Sequence, residues 1–236
     1  KLNYQLLTPK EIRNIGFPMS EILVNRGKYI ANGTYQCALY AFENGISMNI
    51  AGGTHHSFAD HGEGFCLFND IAIAANILQH QNLANKILIV DLDVHQGNGT
   101  ARIFADNPHV FTFSMHGEKN YPIRKEISDL DIGLPDKCND TVYLDILSKT
   151  LKTIIDTFQP DFIFYLAGVD TLESDLLGRL NMSKEGCKTR DRIVLNLAKE
   201  NKIPLVITMG GGYSPKIKDV IEAHANTFRL AQEIYF

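Results

Sequence analysis

No stretch of this 236-residue chain approaches the roughly 20 consecutive apolar residues that span a bilayer. No signal-peptide pattern is visible either, so nothing in the sequence predicts a membrane partner. Basic residues are scattered rather than gathered in a run, and the net charge is only −4. Neither feature makes an electrostatic case for nucleic acid or an anionic lipid surface. The four cysteines, Cys37, Cys66, Cys138 and Cys187, lack CxxC spacing and suggest no disulfide framework. The expected setting is therefore reducing, intracellular and cytoplasmic. Internal repeats, low-complexity tracts and linkers are also missing, which predicts one domain over residues 1–236. The chain begins at Lys1 rather than Met, which leaves room for further N-terminal sequence. Hydrophobic residues at 44% and charged residues at 21% are ordinary for a globular protein with a substantial core.

The chain is organised around Ile87-Leu88-Ile89-Val90-Asp91-Leu92-Asp93-Val94-His95-Gln96-Gly97-Asn98-Gly99. Its first four residues are apolar, three of them β-branched, and read as a strand buried on both faces. Residues two apart on an extended backbone point to the same side. Asp93 and His95 can therefore aim an oxygen and a nitrogen at one point, a ligand pair suited to Zn²⁺ or another divalent transition metal. The plain alternative is a strand-end acidic cluster with ordinary hydrogen bonds.

Along the chain, residues 1–26 read as irregular, with Pro9 and Pro18 as breakers. A helix is expected over 27–43, interrupted at Asn32-Gly33 and stopped by Asn44-Gly45. Strands are expected at 46–50, 87–91, 110–114, 162–166 and 204–208. Helices are expected from a cap at Asn69 or Asp70, at 100–105, at 140–158, from a Ser183 cap to 201, and at 215–232. Residues 117–139 read as a long loop. Alternating strands and helices predict a three-layer α/β/α fold with a mainly parallel sheet.

The polar residues cluster in that scheme. His55-His56, Asp91 to His95, Ser114 with His116, Asp170, and Gly210-Gly211-Gly212-Tyr213 each follow an expected strand. Parallel sheets place their ligand crevice beyond the strands' carboxyl ends. Asp93, His95 and Asp170 would give three metal ligands with an open position, the catalytic rather than the structural pattern. Such a metal acidifies water and polarises a carbonyl. His55-His56 would serve as acid and base, Asp91 would orient one imidazole, and Tyr213 would donate to a developing oxyanion. Together these parts suit hydrolysis of an amide or ester. Each also has a structural alternative. The histidine pair can lie on the surface, Tyr213 can be a wedged core residue, and the glycine run can be a tight turn. That run lacks the spacing and the lysine of a phosphate loop. Cys66 reads as a small buried hydrophobe, and neither His61 nor His116 is assigned as a ligand.

Gly52-Gly53-Thr54-His55-His56, Gly64-Phe65-Cys66-Leu67-Phe68-Asn69-Asp70, Asp91 through Gly99, Ala167-Gly168-Val169-Asp170 and Gly210 to Tyr213 also carry a resemblance. In this order, over roughly residues 45–225, the chain resembles the histone deacetylase superfamily, in particular its class IV branch and bacterial relatives. The resemblance implies an arginase/deacetylase-like fold and a zinc-dependent hydrolase of N-acyl-lysine or an acylated small amine. It implies zinc on Asp93, His95 and Asp170, with Fe²⁺ as the other ion that set accepts. His56 would be the general base and His55 its electrostatic partner or acid. Asp91 would hold His55 and Asn98 would hold His56. Tyr213 would polarise the scissile carbonyl. Gly64 and Phe65 would line the acyl-lysine tunnel, with Tyr121 on the opposite wall and Gly211 also on the substrate side. A potassium ion behind the zinc would take side-chain oxygens from Asp91 and Ser114.

The chain departs from many relatives at Asn98, where they have Asp, and at Gln96, where they have a second His. A neutral amide supports an imidazolium less than a carboxylate does, so His56 should be the less basic histidine. No counterpart is found to the Asp of the loop that grips the substrate backbone. Two other functions stay open: a two-metal ureohydrolase of the same broad fold, and a catalytically silent acyl-lysine binding module. Thr171-Leu172-Glu173 after Asp170 offers no close second carboxylate, which disfavours the former. Retention of every ligand and of Tyr213 disfavours the latter.

Overall fold

Among the described residues the strands are β1 (Ile46–Asn49), β2 (Ile87–Asp91), β3 (Val110–Gly117), β4 (Leu130–Leu134), β5 (Phe162–Leu166) and β6 (Leu205–Thr208). These six make one parallel sheet, in the order β1-β6-β5-β2-β3-β4. The computed structural model describes Lys1 and residues 6–236. Its helices are α1 (Pro9–Ile15), α2 (Glu21–Asn44), α3 (Asp70–His80), α4 (Asn98–Phe104), α5 (Asp140–Phe158), α6 (Lys184–Glu200) and α7 (Ile217–Tyr235). Among the described residues, no helix is long and apolar enough to cross a membrane.

Strand alternation divides the core into two layers. On β2, Ile87 and Ile89 pack with Ala38, Ala41, Ile71, Ala75 and Leu78 of α2 and α3. Leu88 and Val90 face the other way, into a core with Leu147, Leu151, Val194, Leu195 and Leu230 of α5, α6 and α7. β5 repeats the division, with Phe162 and Phe164 on the first side and Ile163 and Tyr165 on the second. A strand covered on both faces reads as a near-continuous apolar run, and all five residues of β2 and of β5 are buried, with Asp91 at the carboxyl end of β2 the one charge among them.

The strand order reverses beside β2. The chain runs outward from β2 to β3 and β4, then returns to place β5 on the other side of β2. The loops leaving β2 and β5 therefore diverge and open a crevice beyond their carboxyl ends, where open α/β sheets bind ligands. Leu92, the residue after β2, donates its N–H to the Leu166 carbonyl at 3.2 Å, which keeps the two strand ends together.

Several local expectations need correction. Pro9 starts a helix rather than breaking one. It occupies the first turn of α1, where its missing N–H costs nothing, and Thr8 and Glu11 close a capping box ahead of it. Of the segment read as irregular, residues 2–5 lie outside the described residues. α2 begins at Glu21, capped by Ser20, and runs through Asn32-Gly33 without interruption to the left-handed Gly45. The 117–139 loop contains β4, a half-buried edge strand whose alternation (Leu130, Ile132, Leu134) spans only five residues. β3 extends to Gly117, so Ser114 and His116 lie on the strand, not beyond it.

Candidate active site

Beyond β2, the backbone folds back on the carboxylates it carries. The Asp93 N–H donates to Asp91 Oδ1 at 3.2 Å and the His95 N–H to Asp93 Oδ1 at 3.0 Å. From the other side of the crevice, Asp170 Oδ1 accepts the Val94 N–H at 2.9 Å. These bonds bring Asp93, His95 and Asp170 together so that one ligand atom from each lies within 4.8 Å of the others. All three residues are buried. His95 Nδ1 lies 3.0 Å from Asp93 Oδ1 and 3.2 Å from Asp170 Oδ2.

The electrostatics of this cluster suit a cation. Burial, then the Asp93 charge, pushes Asp170 up to about 7. Burial acts against a charged His95, but the adjoining carboxylates of Asp170 and Asp93 outweigh it and raise that imidazole to about 10. Burial likewise opposes a charged Asp93, yet His55 and His95 hold it well below the usual carboxylate range. Asp170 Oδ2 is buried and, although His95 Nδ1 lies 3.2 Å away, no donor is aligned to hydrogen-bond it. A buried acceptor without a donor is costly unless it meets a metal. The residues present therefore fit a divalent ion held by two oxygens and one nitrogen.

The loop after β1 brings in the histidine pair. Asp70, at the start of α3, fastens it through the N–H groups of Gly53 and Thr54 at 3.2 and 2.8 Å. Gly210, at φ +70°, is packed so closely that a Cβ there would lie 2.9 Å from Gly168 Cα. His55 and His56 are both buried, with ring centroids 4.0 Å apart. His55 Nδ1 lies 2.6 Å from Asp91 Oδ2, and His56 Nδ1 lies 2.7 Å from Asn98 Oδ1. The two environments separate the pair. Burial would keep His55 neutral, but Asp91, then Asp93, raises it to about 9. Burial and then the neighbouring His55 charge hold His56 well below the ordinary histidine value. The less basic histidine is the one on Asn98, as the substitution of amide for carboxylate implies.

A cavity of about 700 Å³ opens onto these groups. Gly64, Phe65, Tyr121, Gly211 and Tyr213 all line it. The Tyr121 ring meets His56 edge-on at 4.9 Å. Tyr213 is partly exposed; burial, then Asp93 and Asp170, raises its phenol above the ordinary value. Gly211 also faces the Asp93–His95–Asp170 cluster: its N–H donates to Asp93 Oδ2 at 2.9 Å. Asp91 and Ser114 are register partners on β2 and β3, and both are buried. The Ser114 hydroxyl lies 2.9 Å from His116 Nδ1. Gln96 works elsewhere, bridging Glu126 and Asp131 through its amide. Burial raises the Cys66 thiol, which keeps it an inert hydrophobe.

Sequence reasoning missed three supports. Asp175 accepts the Tyr213 N–H at 2.6 Å and so anchors the turn that carries the phenol. Glu63 accepts from Asn98 Nδ2 at 3.0 Å. Arg190 is fully buried beneath the site and donates from one nitrogen to the carbonyls of Gly168 and Leu92, at 2.6 and 3.3 Å. A signal for Arg190 was present. With Asp191 it falls in step with Cys187, Val194 and Ala198 on the buried stripe of α6, where a charge needs a partner.

Known proteins resemble this chain in sequence and in fold. The model of the histone deacetylase domain matches residues 5–228. An uncharacterised protein of Picosynechococcus is 48% identical over 97% of this chain and 76% of its own length. Histone deacetylase 2 of Arabidopsis thaliana is 35% identical over 80% of this chain and 50% of its own length. Histone deacetylase RPD3 of Saccharomyces cerevisiae is 32% identical over 72% and 40%. The chain thus spans half or less of those two deacetylases. The crystal structure of the HDA15 HD domain superposes with a TM-score of 0.75 at 25% identity, over 87% of this chain and 63% of that one. Like this protein, it carries the arginase/deacetylase-like α/β architecture.

Proposed function

The chain belongs to the histone deacetylase family, and from that premise we propose that it is a zinc-dependent amidohydrolase. Its substrate would carry an acyl group on the Nε of lysine, as a protein or as a related acylated small amine. The observation that carries the reading is Asp170 Oδ2, a buried acceptor without a donor beside Asp93 and His95, on the cavity that the histidine pair lines. Zinc held by those three residues would supply Lewis-acid polarisation of the carbonyl and make water easier to deprotonate. The same donor set accepts Fe²⁺.

The protein's own groups divide the remaining work. His56, held neutral, accepts a proton from the attacking water. His55, kept protonated by Asp91, supplies positive charge beside it and is the acid available to the leaving amine. Tyr213 donates its hydroxyl proton into a hydrogen bond with the carbonyl oxygen as charge develops there. Phe65, Tyr121 and Gly64 enclose the acyl-lysine stem, and Gly211 closes its inner end. A potassium ion would take Asp91 and Ser114 oxygens behind the site. Four cysteines without disulfide partners among the described residues support an intracellular setting.

One sample tests the reading: metal content is measured alongside hydrolysis of a fluorogenic acyl-lysine peptide. The expected result is one divalent ion per chain and chelator-sensitive turnover. Two ions per chain would replace the reading with the ureohydrolase. One ion with no hydrolysis of any acyl-lysine or acylamine would leave a binding module.

A further inference from the structure

Glu63 lies between the His56 side of the site and the tunnel wall, with its side chain 24% exposed. Its Oε1 accepts hydrogen bonds from Asn98 Nδ2 at 3.0 Å and from the Tyr121 hydroxyl. Its other oxygen is 3.7 Å from His61 Nε2. On its far side, Asn98 offers Oδ1 to His56 Nδ1 at 2.7 Å.

The direction of these bonds follows from what each group can do. A carboxylate only accepts, so Glu63 must take the NH₂ end of the Asn98 amide. The carbonyl end is then turned to His56. A carbonyl also only accepts, so His56 Nδ1 must carry the proton. In a neutral imidazole this leaves the lone pair on Nε2. An Asn98 flipped by half a turn would press its NH₂ on Nδ1 and move the ring proton to Nε2. The amide itself has no preference between these states; its neighbours decide. His55 needs no such arrangement, because the two oxygens of Asp91 are equivalent.

We propose that Glu63 is a positioning residue that fixes the orientation of Asn98 and, through it, the Nδ1–H tautomer of His56, leaving Nε2 free to accept a proton. This rests on the reading of His56 as the base. The chain has an amide where a carboxylate would orient the imidazole unaided, and Glu63 supplies the missing direction. Its bond to Tyr121 ties the same device to the tunnel wall.

The test reads the tautomer and the chemistry separately. Nitrogen-15 NMR of the full, metal-loaded chain labelled at histidine reports which His56 nitrogen is protonated. Wild type should show Nδ1–H. Glu63→Ala should show a mixture or Nε2–H, and Glu63→Gln, which keeps an acceptor oxygen, should retain mostly Nδ1–H. In acyl-lysine hydrolysis, Glu63→Ala should lower kcat roughly ten-fold, part of the ~10²–10⁴ that positioned acid–base groups supply, with KM little changed. In an Asn98→Asp background the oxygens are equivalent, so Glu63→Ala should cost nothing further in tautomer or kcat. An unchanged tautomer in Glu63→Ala, or an equal kcat loss in both backgrounds, overturns the proposal. Full turnover by His56→Ala would instead sink the reading of His56 as base, while the spectra would still decide how Asn98 is oriented.

Discussion

The Gly211 N–H donates to Asp93 Oδ2 at 2.9 Å, so the carboxylate on the β2 side of the crevice is fastened to the turn that carries Tyr213. The Gly211 carbonyl in turn accepts the Val169 N–H at 2.7 Å, one residue before Asp170. The proposed metal ligands and the phenol are therefore set by one backbone crossing rather than by three independent loops. A side chain has no room there. A Cβ on Gly211 would clash with Asp170 Oδ2 and lie 3.0 Å from Asp93 Oδ2. Gly211→Ala is expected to cost about 1–3 kcal/mol of stability through overpacking. Zinc affinity should fall as well, because the relief available is displacement of a ligand carboxylate. Denaturant unfolding and zinc titration measure the two effects, and unchanged zinc affinity would refute the coupling.

The proposed metal should stabilise the fold as well as serve the reaction. An ion that binds only the folded chain contributes about 2.7 kcal/mol when its free concentration is a hundred-fold above Kd. Chelation is expected to lower the melting temperature of the wild type, and added zinc to restore it. Asp170→Asn removes one charged oxygen ligand from a fully buried position. In that variant zinc should restore little or nothing. An equal zinc-induced rise in both proteins would place the ion elsewhere.

A buried histidine outside the proposed ligand set gives the fold its own acid sensitivity. His224 on α7 is 7% exposed; burial, then the Arg190 charge, holds it down to about 4. The unfolded chain binds a proton at this residue below about pH 6.5, and the folded chain resists it. The contribution of His224 is thus fully present above pH 6.5 and is lost as pH falls through 4. Linkage gives a loss of about 2 kcal/mol between pH 7 and pH 5 from this residue. His224→Gln should be less sensitive by that amount, as read from urea midpoints at the two pH values. Equal pH dependence in the two proteins would show that His224 does not titrate as its burial requires.

How far the sequence reveals this molecule depends on whether a feature is local. The apolar run Ile87–Val90 can be read as a buried strand, but Asp93 and His95 lie in bends beyond β2 rather than on the extended backbone expected of them, and local hydrogen bonds to Asp91, Asp93 and Asp170 gather them. The parallel sheet follows from alternation of elements, and the crevice from the rule for strand ends. β4 escapes because an edge strand half open to water needs only three apolar residues, too short an alternation to stand out within the 117–139 loop. α1 escapes because Pro9 is both a breaker and a first-turn residue, and only the Thr8–Glu11 capping box tells which. Arg190 reaches the Leu92 carbonyl across 98 positions of sequence. Glu63 meets Asn98 across 35. Such contacts exist only once the chain has closed, and a single sequence carries no period that announces them.

Tyr213 gives the sharpest test of the chemistry. β6 ends at Thr208, and Met209 with three glycines then carries the chain across the mouth of the crevice. Asp175 holds the Tyr213 backbone N–H at 2.6 Å, so the ring is presented from a fixed anchor. Burial, and then the proximity of Asp93 and Asp170, disfavours the phenolate and keeps the hydroxyl a donor. A donor aimed at a carbonyl oxygen gains most when that oxygen becomes negative, so its contribution belongs to the transition state. Tyr213→Phe removes the hydroxyl and leaves the ring. Fold and zinc content should survive, and substrate binding should change little, because the ground-state carbonyl bears only a partial charge. The chemical rate should fall on the order of 10²-fold, as when an oxyanion donor is lost. Single-turnover hydrolysis of an acyl-lysine peptide, with zinc quantified in the same samples, makes the measurement. A variant that keeps both its zinc and its full rate would make Tyr213 a wall of the cavity and return polarisation of the carbonyl to the metal alone.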